Sequence, residues 1–479
     1  MKPKLTTHYD YRASLKRRLR LYSIYTTRLP KSVQELISRF SSLDLSPVDS
    51  IMQSKYSDIG RPPRQPSSMW RSMMVMVELK VTRFTTWVEM MRTTPVYAII
   101  SGFDPANVPG FSSFYDFMKR LWNIDTPNIS PEVKPLPTRF VQKPKGKGKK
   151  ADSIETETTE ELIDRLSQGC FSLDTEAYGT LFEIFRTCAL DVSICKGIID
   201  LKEMNIAGDG TPVVTAARYR YHRICDCKEK GITNCTCDRR FAQPDTDRGW
   251  DSSRNCFYTG YDMYLATDTR HDLPLFPLLN RASLHDSHGF CENFFRFKSF
   301  APELLPSSLL LDSAHDNMAT YDLCHRLGIK PFIDMNPGNT RKNPLDYYGF
   351  TLGPDGIPVC KEGHKMRSNG CDLSKQYAKF RCPKMWGCFC LCRNKCSEAK
   401  YGRTISIPLA TNKRLYNTPA RGSEQWKKMY NKRTSAERCN KRMKIDYVLE
   451  QGHHRKTVYW YVRVYVIMML LHLSAWQKP

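Results

Sequence analysis

Three acids carry the residue types and positions from which divalent-metal chemistry could be built. Asp209 follows an apolar approach in "MNIAGDGTPV", and Asp312 ends the apolar run "LLLD". Glu437 is the single acid in "YNKRTSAERCNKRMK" (430–444), among six cations: Lys432, Arg433, Arg438, Lys441, Arg442 and Lys444. A solvated helix usually mixes its charges, and a plain nucleic-acid-binding helix gains by omitting an acid. Taken singly, an aspartate at a strand end more often serves as a turn or cap residue. Two of them at the ends of adjacent strands would repel unless cations neutralised them, and hard oxygen ligands suit Mg²⁺ or Mn²⁺. On an α-helix, with Tyr430 set at 0°, Arg433 falls at about −60°, Glu437 at about −20° and Lys444 at about −40°. The four side chains then share one narrow face. Glu437 could complete a metal site with the aspartates, while Arg433 and Lys444 held phosphate oxygens beside it.

The elements that must position these residues are readable in outline. Apolar runs at 204–213, 256–268, 273–284 and 307–317 read as strands, and "MATYDLCHRLG" and "KPFIDM" read as a helix and a further strand. That order suits a mixed α/β sheet with flanking helices. Tyr178, Leu181, Phe185 and Cys188 mark a helix before it. Gly, Pro and Cys break the pattern over 336–424, which reads as an insertion. A closing helix (424–450) and the apolar segment 458–476 would return to the sheet and cover it.

Upstream, Met69, Met73, Met76 and Val77 fall on one helical face. Ser113 and Asp116 are spaced as a capping box before Phe114, Phe117, Met118, Leu121 and Trp122. A small helical bundle fits, with Lys119 and Arg120 placed to touch phosphate or simply to be solvated. Domain boundaries are expected at 1–130 (basic arm and helical DNA-binding domain), 131–165 (disordered linker, from its Lys/Gly and acidic composition), 166–335 (catalytic domain, first part), 336–424 (Cys-rich insertion) and 425–479 (closing helices with the glutamate).

The spacing Tyr430, two residues, Arg433, three residues, Glu437, six residues, Lys444 resembles the YREK motif of insertion-sequence DDE transposases at all four positions. Asp209 in "DGT" resembles that family's first acid. Asp312 in "LLLDSAHD" resembles its second, with Ala314 and His315 where the family commonly carries Gly-Tyr. "GRPPRQPSSM" opens a region similar to the helical N-terminal domain of these transposases, so the likeness covers roughly residues 60–475. The resemblance implies an RNase H-like fold, interrupted by an insertion before the glutamate, and a two-metal phosphoryl transfer. Asp209, Asp312 and Glu437 would hold Mg²⁺ or Mn²⁺, and Tyr430, Arg433 and Lys444 would position the transposon-end phosphates. The expected partners are DNA, as terminal repeats and target, and a second copy of the chain, because two ends must be joined.

A net charge of +24 over 479 residues favours a polyanionic partner. The longest apolar run, "VYVIMMLL", is too short to span a membrane, and the basic N-terminus lacks the apolar core of a signal peptide. A cytoplasmic, DNA-associated protein is therefore expected. Its 18 cysteines would be reduced, and clustered thiols would bind metal rather than form disulfides. Cys225, Cys227, Cys235 and Cys237 suit tetrahedral zinc, although each pair is spaced C-x-C; unligated thiols are the alternative, and His222 is a spare ligand. A second cluster, Cys360, Cys371, Cys382, Cys388, Cys390, Cys392 and Cys396, lies near His364. The Cys382–Cys396 group is its densest part, and its ligand set is open. Asp262 is expected along a strand beside Asp209, His285 and Asp286 in a polar turn, and His315 and Asp316 as helix caps. Two rivals remain beside the transposase: a domesticated DNA-binding protein without catalysis, and a structure-specific nuclease of the same fold.

Overall fold

The computed structural model describes residues 1–23, 29–122, 157–171, 178–216, 222–223, 231, 239–240, 246–336, 338, 345–347, 350–353, 355–386, 389–390, 392, 396–400, 402–421 and 423–477. Its first part is helical: α1 (His8–Ser23), α2 (Lys31–Ser41), α3 (Ser46–Met52), α4 (Pro66–Glu78), α5 (Phe84–Thr93), α6 (Pro95–Ser101) and α7 (Phe111–Arg120). The expected methionine stripe understates α4, which is buried on every face from Pro66 to Val77. Helix α7 begins at Gly110 without a side-chain cap, so the Ser113–Asp116 capping box does not form.

A capping box does form where a linker was expected. Residues 131–156 of the expected linker lie outside the described set, but its last residues, 159–165, fold within α8 (Thr159–Ser167). The Glu161 carboxylate accepts from Thr158 N–H at 2.8 Å, and Thr158 Oγ1 accepts from Glu161 N–H at 3.3 Å. Leu162, Ile163 and Leu166 then bury their side chains. Helix α9 (Gly179–Phe185) follows, continued by a π-turn at Arg186–Leu190 and by α10 (Asp191–Cys195).

The sheet holds strands β1 (Asn205–Val214), β4 (Asp247–Asp251), β5 (Cys256–Asp268), β6 (Leu273–Arg281), β7 (Ser308–Leu311) and β8 (Lys330–Ile333). Two short strands, β2 (His222–Arg223) and β3 (Arg239–Arg240), pair with each other outside it. β5 runs antiparallel to β1 on one side and to β6 on the other, and its first residues form a hairpin with β4. β1, β7 and β8 are parallel neighbours. β6 carries Pro274 and Pro277, which cannot donate to a ladder, and it lies at the sheet edge. β7 and β8 are apolar on both faces, as parallel strands covered from both sides must be. Helix α11 (Asp286–Phe300) covers one face, and α12 (Met318–Arg326) joins β7 to β8.

The insertion expected at 336–424 is a small β structure with its own core of Leu352, Met366, Ala378, Phe380, Ile405, Ile407 and Tyr416. It is clamped to the sheet by Arg414, whose Nε donates to the Asp316 carboxylate at 2.7 Å, and by Arg421, which donates to the Ile333 carbonyl at 2.6 Å. Asp316, expected as a helix cap, is thus a buried ion-pair partner; Asn317 caps α12 instead.

The closing helix is not uniform. It comprises α13 (Glu424–Tyr430), a 3₁₀ turn at Asn431–Arg433, α14 (Thr434–Lys441) and a π-turn at Arg442–Asp446. Helix α14 packs on β1 and β5 on the face opposite α11. Helix α15 (Thr457–Ala475) is long and apolar enough to cross a membrane, but it lies almost wholly buried inside the fold. It packs against α4, α7 and α9 on one side and β6 on the other. Trp70 Nε1 reaches Met469 Sδ at 3.1 Å, and the Tyr461 hydroxyl accepts from Leu279 N–H at 2.9 Å. One apolar core therefore runs from the N-terminal helices into the sheet, across the boundary that composition suggests near residue 130. Truncating fully buried Leu470 to Ala should cost about 2–5 kcal/mol. Tryptophan fluorescence and far-UV circular dichroism should then follow one shared, earlier transition; separate transitions would mean separately folding halves.

Candidate functional site

β1 keeps its parallel partner only from Asn205 to Ala207, opposite Ser308–Leu310. Asp209 lies two residues beyond that pairing on β1, and Asp312 follows the last residue of β7. The structure thus brings the two expected aspartates to one place. Side chains alternate along a strand, so Asp209 faces α14 while Gly208 and Gly210 face α11.

Asp209 accepts a hydrogen bond from Asn440 Nδ2 at 3.0 Å. Its carboxyl is pushed up to about 7 by burial and by the nearby charges of Asp312 and Asp286, against the opposing pull of Arg433 and Asn440. Asp312 moves the other way. Burial raises it, but the bond and charge from His315, the Ala314 N–H and the Arg433 guanidinium outweigh burial and hold it below the usual carboxylate range. His315 Nδ1 lies 2.6 Å from Asp312 Oδ1, and its Nε2 lies 3.0 Å from the Tyr264 hydroxyl. His315 is therefore a buried link between the acid and the sheet, where a helix cap was expected.

Two further acids join the pair. His285 caps α11, and Asp286 stands in its first turn, where a polar turn was expected. Asp286 is raised by burial and by Asp312, with His315 and His285 opposing. Asp262 is pushed well up by burial and by the charges of Asp286 and Asp209, with Lys444 opposing. Asp286 was hard to find because its proximity depends on how α11 docks. Asn440 was missed too, yet it sits one helical turn beyond Glu437 on the face that meets β1, and that spacing was available in the sequence.

The basic segment arranges itself differently from an ideal helical face. Glu437 is half-exposed, and its Oε1 lies 2.7 Å from Arg433 Nη2. Arg433 in turn exerts its charge on both Asp209 and Asp312. Glu437 thus reaches the aspartate pair through a guanidinium. Tyr430 stacks on Trp426 with ring centroids 4.9 Å apart, and Arg433 lies 5.9 Å from the Tyr430 ring. The π-turn moves Lys444 off the expected face, toward Glu450 at 3.6 Å, where its charge still acts on Asp262.

Lys119 and Arg120 are exposed at the end of α7, on the rim of the helical region. Arg120 lies over the Tyr56 ring at 5.0 Å and lines an open groove of about 890 Å³ with Lys55, Arg61 and Arg64. The cysteines Cys225, Cys227, Cys235, Cys237 and Cys388 and the side chain of Cys390 lie outside the described residues, as does the side chain of His222. Cys382 is buried, Cys360, Cys371 and Cys392 are half-buried, and Cys396 is exposed. Among the described residues no three His, Cys, Asp or Glu side chains form a group that could hold a metal ion. No protein-family model, curated protein or solved structure matches the chain.

The raised carboxyl of Asp209 has a consequence for stability. Its folded pKa exceeds the unfolded value, so the native state holds the extra proton between about pH 4 and pH 7 and loses stability as pH rises through that window. Asp209→Asn should therefore raise Tm in chelator-containing buffer at pH 8 and leave it nearly unchanged at pH 4. An equal Tm difference at both pH values would contradict the buried-charge assignment.

Proposed function

We propose that the chain cuts and joins DNA by divalent-metal-dependent phosphoryl transfer, as a DDE-type transposase with an RNase H-like catalytic domain. The observation that carries this reading is the meeting of Asp209 and Asp312 beside parallel β1 and β7, with Arg433 from the closing helix acting on both. The antiparallel strands β4, β5, β6 and β1, the strands β7 and β8 parallel to β1, helices on both faces and an insertion ahead of the glutamate are consistent with the expected architecture.

The donor chemistry at this point suits a hard cation. Two carboxylates adjoin, Asp209 is destabilised by its neighbours' charge, and the nearby Asn440 Oδ1 is buried without a hydrogen-bond partner. Asp209 and Asp312, joined by Glu437 on its release from Arg433, would hold Mg²⁺ or Mn²⁺, which would supply Lewis acidity for activating a hydroxyl and stabilising a leaving oxygen. The chain's own groups do the rest. Asn440 fixes the Asp209 carboxylate, and His315 fixes that of Asp312. Arg433 is placed to draw a phosphate oxygen toward the pair, and the stacked Tyr430 and Trp426 limit the guanidinium's swing. Lys119, Arg120 and the basic groove at α7 would bind the DNA end by its phosphates. A homodimer in the DNA complex belongs to this reading, since two ends must be joined. Structural Zn²⁺ on the cysteine clusters belongs to it as well.

The ion pair between Arg433 and Glu437 favours one second reading, a DNA-binding protein in which the acid is structural. The test is a DNA fragment carrying the native gene borders, incubated with Mg²⁺ and wild type, Asp209→Asn or Glu437→Gln. Wild type should nick or cut at the borders, and both variants should bind with affinity near wild type while losing cleavage at least a hundredfold. Border binding without cleavage by wild type would favour the second reading. Full cleavage by Glu437→Gln would remove that residue from the metal site.

A further inference from the structure

Across β1 from Asp209 lies a second acidic pair that the proposed transfer does not use. Asp262 faces α11 from β5, and Asp286 faces the sheet from the first turn of α11. They converge on Gly210. A Cβ placed there would stand 2.5 Å from Asp286 Oδ1 and 3.1 and 3.2 Å from the two Asp262 oxygens. Glycine is what lets both carboxylates close on the strand. Any other residue at 210 would have to push the Asp286 carboxylate aside.

The pair lacks the donors that buried carboxylates ordinarily have. Asp262 is only 7 % exposed, and among the described residues neither it nor Asp286 makes a hydrogen bond or ion pair. Asn280, directly across from Asp262 on β6, has its Nδ2 buried without a partner and does not serve it either. The nearest cation to act on Asp262, Lys444, is engaged with Glu450 at 3.6 Å. Two buried acceptors that converge without a hydrogen-bond donor, opposed only by the charges of His315 and His285 on Asp286 and of Lys444 on Asp262, leave room for a cation from outside. Mg²⁺ is commonly held by one or two carboxylates, with waters and substrate phosphate completing its shell, rather than by an all-protein cage. Two converging carboxylates satisfy that requirement without a third protein ligand.

We propose that Asp262 and Asp286 hold a divalent cation of the Mg²⁺ class at a site distinct from the Asp209–Asp312 pair and separated from it by the Gly210 backbone. Its existence rests on the convergence of two unpartnered carboxylates on Gly210; its use, neutralising the acid cluster so that a DNA phosphate can approach, rests on the phosphoryl-transfer reading. Loss of either carboxylate leaves a single acid against the glycine. A methyl group at 210 keeps both acids in the chain but displaces the Asp286 carboxylate from Asp262.

The experiment is an Mn²⁺ titration of the metal-free full chain at pH 7.5, followed by the electron paramagnetic resonance of free Mn²⁺. Wild type is compared with Asp286→Asn, Gly210→Ala and Asp209→Asn, each checked for a native far-UV circular dichroism spectrum. A class of bound Mn²⁺ should be weakened at least tenfold in Asp286→Asn and in Gly210→Ala and persist in Asp209→Asn. If either of the first two variants fails to fold, the other decides. Binding curves identical to wild type in the folded variants, no Mn²⁺ binding by wild type, or loss of the same class in Asp209→Asn would overturn the site. Border-DNA cleavage is read separately. An Asp286-dependent ion in a protein that never cuts would retain this site and overturn the transposase reading alone.

Discussion

Like charges held together at a strand end define the problem that the rest of this fold answers. Two unit charges about 4 Å apart repel by about 4 kcal/mol at an effective dielectric of 20. Asp209, Asp262, Asp286 and Asp312 each act electrostatically on at least one of the others. They come from β1, β5, α11 and the end of β7, so relief by separation would mean pulling the sheet from its helices. Packing resists this. A single large apolar side chain in a well-packed core is worth about 2–5 kcal/mol, and α15 alone buries nearly every residue from Val458 to Leu473 between the N-terminal helices and the sheet. The repulsion is thus comparable to a few core contacts, and a core continuous over both regions can sustain it.

The same constraint explains which acids keep their charge. Asp312 has a fixed partner, His315, itself oriented by Tyr264, and is held ionised. Asp209 has only the neutral Asn440 amide and feels Arg433 at longer range, so its proton is retained to about 7. Two acids on neighbouring strands shift in opposite directions because burial and the charges of Asp312 and Asp286 prevail at Asp209, whereas His315, the Ala314 N–H and Arg433 prevail over burial at Asp312. Arg433 lies between them and Glu437, and all three acids draw on one guanidinium.

How far the sequence disclosed this depends on the range of the interaction involved. The β1, β5, β7 and β8 segments were legible because apolar runs bounded by turn residues are a local signal, and Asp209 and Asp312 came with them. The Thr158–Glu161 box was equally local, but it lay in an acidic stretch whose composition argued for disorder. Asp262 was legible as a residue on a strand beside Asp209, but its meeting with Asp286 depends on the docking of α11 against β1 and β5 and on the missing side chain at Gly210, which no spacing rule conveys. His315 and Asp316 looked like caps because they follow a strand end; tertiary partners, Tyr264 and Arg414, assign them other work.

The basic segment shows where an ideal helix misleads. At a uniform pitch, Tyr430, Arg433, Glu437 and Lys444 share a face, and the motif reads as one constellation. The 3₁₀ turn at Asn431–Arg433 and the π-turn at Arg442–Asp446 tighten the helix before α14 and widen it after. Arg433 is left beside the Asp209–Asp312 pair, while Lys444 is carried toward Glu450 and the Asp262 side of the sheet. The two cations of the motif thereby act on different acids, Arg433 on Asp209 and Asp312 and Lys444 on Asp262.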